Sequence, residues 1–167
     1  AVIKLRRLCQ SVDLIGGNIA TPNGTRDLIR LGVDGVKVGI GPGGICITRM
    51  VAGVGVPQFS AIQSCAAVSQ KAHIPLIADG GTNYPGDMTK ALAAGASTVM
   101  ITGWLAGTDE SPGGIILRKG QKYKVHRGAA SLTAVASRDI DIALEEIVPE
   151  GVESFVPYKG PVKDVIH

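Results

Sequence analysis

The residues best suited to chemistry lie together in Gly39-Ile-Gly-Pro-Gly-Gly-Ile-Cys-Ile-Thr-Arg49. Glycines at 39, 41, 43 and 44 let the backbone take positive φ and approach a ligand or ion closely. Cys46 follows them, and Thr48 stands two places on. A thiolate is a nucleophile for covalent catalysis, and a nearby hydroxyl can hand on a proton. The plainer role for Cys46 is that of a small buried apolar side chain. Its place on a glycine-rich loop after the strand-like run Val36-Lys37-Val38 favours the nucleophile. Cys9 and Cys65 fall in helical segments and are expected to pack.

Two further loops could hold an anion. Asp79-Gly80-Gly81 and Thr102-Gly103-Trp104 each follow an apolar run and offer bare backbone N–H groups. Asp79 adds a carboxylate that can accept from ribose hydroxyls. The plainer reading is that these glycines only make tight turns. His73 precedes a strand and is expected to cap or pack, and His126 is better placed. No His or Cys pair has zinc-ligand spacing, so no zinc site is expected.

The elements that must carry these loops alternate. Helices are expected over 1–10, 22–31, 57–72 and 85–94, with Thr21 capping the second. Strands are expected over 12–17, 35–39, 74–78 and 98–101, apolar on both faces. That is the pattern of a parallel sheet covered by helices. An internal repeat supports it: Leu14 and Ile77, Pro22 and Pro85, Gly32 and Gly95, and Val38 and Ile101 all stand 63 apart. A βαβα unit thus occurs twice. Such repeats build a TIM barrel, although a doubly wound sheet shows the same pattern. Four strands make half a barrel, so the chain is expected to be partial, and its end within a helical pattern at Val162–His167 points the same way. In a barrel all four βα loops open on one face, where active sites lie.

Beyond Asp109 the pattern changes. Ile115–Leu117 and Tyr123–Val125 are expected to form a hairpin joined by 118–122. Residues 128–137 are small and polar and are expected to be mobile. Ala143–Ile147 fits a helical turn, and the proline-punctuated tail is expected to be largely irregular.

The bulk numbers exclude several classes. With 167 residues, 45% hydrophobic and 19% charged, the chain is long enough for one globular domain. A net charge of +3 without a basic cluster does not imply nucleic acid as a partner. No apolar run reaches membrane-span length, no signal peptide is evident, and three cysteines without CxxC spacing suit reduced thiols in the cytoplasm.

The stretch from Gly39 to Arg49 resembles the IMP dehydrogenase/GMP reductase family. The likeness extends over nearly the whole chain. It includes Leu14-Ile-Gly-Gly-Asn-Ile-Ala-Thr21, Val51-Ala-Gly-Val-Gly-Val-Pro-Gln58, Ile77-Ala-Asp-Gly-Gly81, Ala91 to Met100, Leu105-Ala-Gly-Thr-Asp-Glu-Ser-Pro-Gly113, and Val148-Pro-Glu-Gly-Val-Glu153 with Val156-Pro-Tyr-Lys-Gly-Pro161. The resemblance implies an α/β fold, a TIM (β/α)8 barrel of which these residues are strands five to eight, a flap and a C-terminal segment. It implies no CBS module in this chain and a homotetramer once the barrel is complete. It implies oxidation of IMP to XMP with NAD, in guanine nucleotide biosynthesis, through a covalent thioimidate on Cys46.

The roles implied follow residue by residue. Thr48 and Glu150 would relay protons, and Arg138 aligns with a flap arginine that activates water. Asp79 would bind ribose. Gly81, Thr102 and Gly103 would meet phosphate, and Gly44, His126, Gly128, Ala129 and Ala130 would complete the binding of a purine nucleotide monophosphate. Gly39 and Gly41 would face the cofactor, and carbonyls of Gly41, Gly43 and Cys46 would hold K+. Several positions depart from the family pattern. Gly44 replaces a serine, Thr102-Gly103 a Gly-Ser pair, His126 a tyrosine and Ala129-Ala130 a Met-Gly pair. The flap between Ser131 and Glu150 is shortened, and Asp139 stands in place of a tyrosine. The alternatives are therefore GMP reductase, taking GMP to IMP with NADPH, and an inactive nucleotide-binding homologue or fragment. The tail from Val148 to Pro161 resembles the dehydrogenases more closely.

Overall fold

A computed structural model describes residues 1–137 and 148–167. The elements in order are α1 (Val2–Leu8), β1 (Ile15–Ile19), α2 (Pro22–Arg30), β2 (Gly35–Val38), α3 (Thr48–Val51), α4 (Gln58–Ser69), β3 (Leu76–Asp79), α5 (Pro85–Ala93), β4 (Thr98–Met100), β5 (Ile116–Arg118), β6 (Gln121–Arg127), α6 (Leu132–Ala136), β7 (Glu153–Pro157) and α7 (Lys163–Ile166). They form two compact units, Ala1–Gly43 with Val54–Met100, and Gly44–Gly53 with Ile101–His167. The expected turn at Ala143–Ile147 lies outside the described residues.

The first unit is an α/β layer: a parallel sheet in the order β1-β2-β3-β4. Each parallel step needs a crossover, which is why helical segments alternate with the strands. Val36, Val38, Leu76 and Ala78 bury one face of the central strands among Ala61, Ile62, Cys65 and Ala66 of α4. Fully burying a side chain such as Ile62 or Leu76 contributes roughly 1.5–3 kcal/mol. Helix α2 starts as its sequence dictates: Pro22 opens it and Thr21 Oγ1 accepts from the Gly24 N–H at 3.2 Å.

Three expectations need correction here. The first strand runs from Ile15, not Val12, because pairing begins only where Ile15 meets Gly35; Val12 is 59% exposed. The 63-residue repeat holds for α2 and α5 but not for the strands before them. Gly35 pairs with Ile15, and its equivalent Thr98 pairs with Ile77, so β1 and β3 are equivalent at 62. The connection from β3 to α5 carries the extra residue. Nor are all strands covered on both faces: Ile15 on β1 and Met100 on β4 are 57% and 44% exposed. Cys65 is packed as expected, and burial pushes its thiol up against the opposing hydrogen bond from Thr25. Cys9, by contrast, caps the end of α1 and is exposed.

The second unit is an antiparallel sheet in the order β5-β6-β7. Its hairpin is tighter than expected, because the strands run on to Arg118 and Gln121. Only Lys119 and Gly120 turn, both at positive φ, +50° and +78°, which matches the twist of a two-residue hairpin. The tail is not irregular at 153–157. Ser154 and Val156 face inward in alternation, and β7 pairs with β6. Within 128–137, residues 132–136 form α6. Among the described residues no helix is long and apolar enough to cross a membrane.

Lys124 on β6 ties this unit together. It is 4% exposed, and its ammonium donates to the carbonyls of Thr108, Asp109 and Ser111 at 2.9, 3.3 and 2.6 Å. All three donors are used. Lys124→Met keeps the stem and strands three carbonyls. It should lower stability by about 2 kcal/mol, read as a lower urea midpoint.

Candidate active site

Cys46 lies in the second unit, just before α3. Its thiol donates to Thr48 Oγ1 at 3.2 Å, and Thr48 Oγ1 donates to Glu150 Oε2 at 2.7 Å. All three residues are half-buried. Cys46, Thr48 and Glu150 thus form a continuous chain of exchangeable protons across 104 residues of sequence. Such a chain can draw a proton from a nucleophile or a water and store it on a carboxylate.

Backbone bonds hold that chain in place. The Ile47 N–H donates to the Glu150 carbonyl at 2.8 Å, and the Val152 N–H donates to the Ile45 carbonyl at 3.0 Å. Glu150 and Gly151 both donate to the Ala130 carbonyl, at 3.0 and 3.1 Å. Three segments, 45–48, 128–131 and 150–152, are therefore locked together. Gly151 permits this: a Cβ there would lie 3.0 Å from the Ser131 nitrogen and 3.2 Å from the Ala130 carbonyl carbon. Gly128 faces it, with its own absent Cβ 3.4 Å from the Gly151 Cα.

The first unit carries a second polar cluster, at the carboxyl ends of its strands. Asp79 Oδ2 is ion-paired with Lys37 and accepts from Asn18 Nδ2 at 2.9 Å. Asn18 Nδ2 also donates to the Gly39 carbonyl at 2.9 Å, and Gln58 Nε2 donates to the carbonyls of Val38 and Asp79 at 2.9 and 3.1 Å. Asp79 is thus oriented through one oxygen, and its Oδ1 takes no part in these bonds. Gly39 is buried against the cluster: a Cβ there would fall 1.9 Å from the Asp79 carbonyl oxygen. Its N–H donates to Ile19 at 2.9 Å, so both of its backbone groups are engaged within the unit.

Thr102, His126, Gly128 and Ala129 line one cavity of about 810 Å3 in the second unit, with Arg127 and Glu153. Gly103 lies beside Thr102, and its carbonyl accepts from Lys159 Nζ at 3.2 Å. Burial and then the Lys159 ammonium hold His126 below the usual imidazole range. The unfolded chain then takes up a proton near pH 6.5 before the folded chain does. Stability present above that pH falls as acid drives His126 through its lowered folded value. His126→Gln should flatten this slope, read from urea midpoints at pH 7 and pH 5.

The profile of the IMP dehydrogenase / GMP reductase domain matches residues 1–167, the whole chain. The chain belongs to this family. It is 52% identical to inosine-5'-monophosphate dehydrogenase of Rhizobium tropici, over 100% of this chain and 35% of that protein. It is 50% identical to GMP reductase of Leishmania donovani, over 98% and 35%. A Cys-to-Ala variant of GMP reductase from Trypanosoma brucei, solved in complex with guanosine 5'-monophosphate, superposes with a TM-score of 0.92 at 47% identity, over 99% of this chain and 35% of that one. The chain therefore spans about a third of the length of these relatives.

In this member of the IMP dehydrogenase/GMP reductase family, some participants were not singled out from sequence. Asn18, Lys37 and Gln58 build the cluster around Asp79. The signal available was a lysine inside the otherwise apolar run Val36-Lys37-Val38, since a buried strand keeps a cation only when it has a partner. Gly151 stands beside Glu150 and could have been read as a close approach. Gly44 is exposed, and Gly81 takes φ of +78° in the loop after β3. Arg138 lies outside the described residues.

Proposed function

We propose that these residues are the second half of a TIM barrel and that the complete barrel oxidises IMP to XMP. The observation that carries the reading is the Cys46–Thr48–Glu150 hydrogen-bond chain. Cys46, as thiolate, adds to C2 of the purine. A bound NAD would supply the acceptor for the hydride that leaves C2. The product is a thioimidate on Cys46. Water then adds to C2, Thr48 passes its proton to Glu150, the Cys46 C–S bond breaks, and XMP leaves. The balance is IMP, NAD+ and water giving XMP, NADH and a proton.

Asp79 holds the ribose through Oδ1. Gly81, Thr102 and Gly103 take the phosphate. Gly44, His126, Gly128, Ala129 and Ala130 complete the nucleotide site, Gly39 and Gly41 flank the cofactor, and Arg138 activates water. The carbonyls of Gly41, Gly43 and Cys46 would hold K+. Hard oxygen donors of this kind suit a hard cation. The complete protein works as a cytoplasmic homotetramer.

A second reading is GMP reductase. It is favoured by Gly44 and Ala129-Ala130, where the nucleotide-binding pattern departs, and by the similarity to two GMP reductases. The third is a binding homologue without turnover. Protein carrying the complete barrel is incubated with IMP and NAD+, and separately with GMP and NADPH. NADH formation supports the dehydrogenase, and ammonia release supports the reductase. Calorimetric binding of IMP without either supports the homologue and sinks catalysis.

A further inference from the structure

Lys37 is a cation set into an otherwise apolar strand. Val36 and Val38, both fully buried, pack toward α4, so Lys37 faces the other side of the sheet. On that side it lies opposite Gly17 of β1 and Ile77 of β3. Gly17 makes room for its stem: a Cβ there would fall 2.9 Å from the Lys37 Cβ and 2.7 Å from the Lys37 carbonyl oxygen. Asp79 stands two places beyond Ile77 and so on the same face, and the Lys37 ammonium is ion-paired with its Oδ2. The two side chains are 27% and 20% exposed. An ion pair of this kind contributes little net stability, so stability alone does not account for a lysine here.

Asp79 is held at both ends. Gln58 Nε2 donates to its carbonyl at 3.1 Å, and Asn18 Nδ2 donates to Oδ2 at 2.9 Å beside the Lys37 ammonium. Each carboxylate oxygen has two acceptor sites. Lys37 and Asn18 take both sites of Oδ2. Oδ1 keeps its two, and the bonds on Oδ2 fix their direction. The cis-diol of a ribose presents two hydroxyls to them. A 2'-deoxyribose presents one and leaves a charged acceptor short of a partner.

We infer that Lys37 is a positioning residue: by holding Oδ2 of Asp79 it aims Oδ1 at both ribose hydroxyls, and so makes the site select ribonucleotides over 2'-deoxyribonucleotides. The inference rests on the reading of Asp79 as the group that holds the ribose, but not on which purine the barrel takes or which reaction it runs. Without the ammonium the carboxylate turns about its Cβ–Cγ bond, and water replaces the lost partner.

Affinities are measured by calorimetry on protein carrying the complete barrel, with IMP against 2'-deoxy-IMP and GMP against 2'-deoxy-GMP. Wild-type protein should favour the ribonucleotide of the pair it binds by at least about tenfold. Lys37→Met keeps the stem and removes the charge. The preference should then fall to within about threefold, with the loss borne by the ribonucleotide. Lys37→Gln, a second neutral replacement, should lower it as well. In an Asp79→Asn background Lys37→Met should change the ratio no further, because Lys37 acts only through that carboxylate. A lysine that merely supports the sheet would weaken both nucleotides alike. A preference that survives in Lys37→Met and Lys37→Gln, or a further loss in the Asp79→Asn background, would overturn the inference and leave the role of Asp79 standing. Wild-type protein that binds the two sugars alike, or neither, would remove Asp79 from the ribose and take the inference with it.

Discussion

Cys46→Ala, placed in protein carrying the complete barrel, is expected to abolish turnover, by at least about 10⁴-fold in kcat. Nucleotide affinity should stay within about tenfold, roughly 1.4 kcal/mol. The reason is geometric. The loop that carries Cys46 is held by backbone bonds, from Ile47 to Glu150 and from Val152 to Ile45, and not by the thiol. The sulfur contributes one weak hydrogen bond, to Thr48 at 3.2 Å. Removing it takes away the nucleophile and leaves the frame. Steady-state kinetics and calorimetry with IMP check the two halves of the prediction. A large loss of binding would make Cys46 a packing residue.

Glu150→Gln should lower kcat by 10²- to 10⁴-fold, the usual worth of a placed general base. Its amide oxygen can still accept from Thr48 at the position where Glu150 accepts at 2.7 Å, so the geometry persists. What is lost is the capacity to store a proton. The main-chain ties of Glu150 to Ile47 and Ala130 do not depend on the side chain. The first half-reaction should therefore survive. Stopped-flow absorbance should show a burst of NADH of one equivalent per Cys46, followed by slow turnover. An absent burst would place Glu150 in the first step, and an unchanged steady state would remove it from the relay.

Local signals carried much of the fold. Apolar runs of four or five residues, Pro22 and Pro85 at helix starts, and glycines at 32 and 95 located the βα units of the first sheet. Edges were less legible: the start of β1 is set by its partner Gly35, which no local pattern reveals. The strand at 153–157 was missed because its pairing with β6 is non-local and prolines surround it. Within the site, the thiol and Thr48 stood out from spacing alone. Glu150 did not, because a single carboxylate in a tail has no periodicity; only the family resemblance pointed to it. The cluster of Asn18, Lys37 and Gln58 around Asp79 depends on three strand ends converging, a property of the sheet and not of any one segment.

The proposed reaction turns on one bond, between Cys46 and C2 of the purine. Complete-barrel protein with Glu150→Gln is mixed with IMP and NAD+, quenched in acid, digested and examined by mass spectrometry. The predicted result is one nucleotide mass added to the peptide containing Cys46, absent from the Cys46→Ala control. NADH formation with no adduct on that peptide, or an adduct that persists without Cys46, would contradict the account.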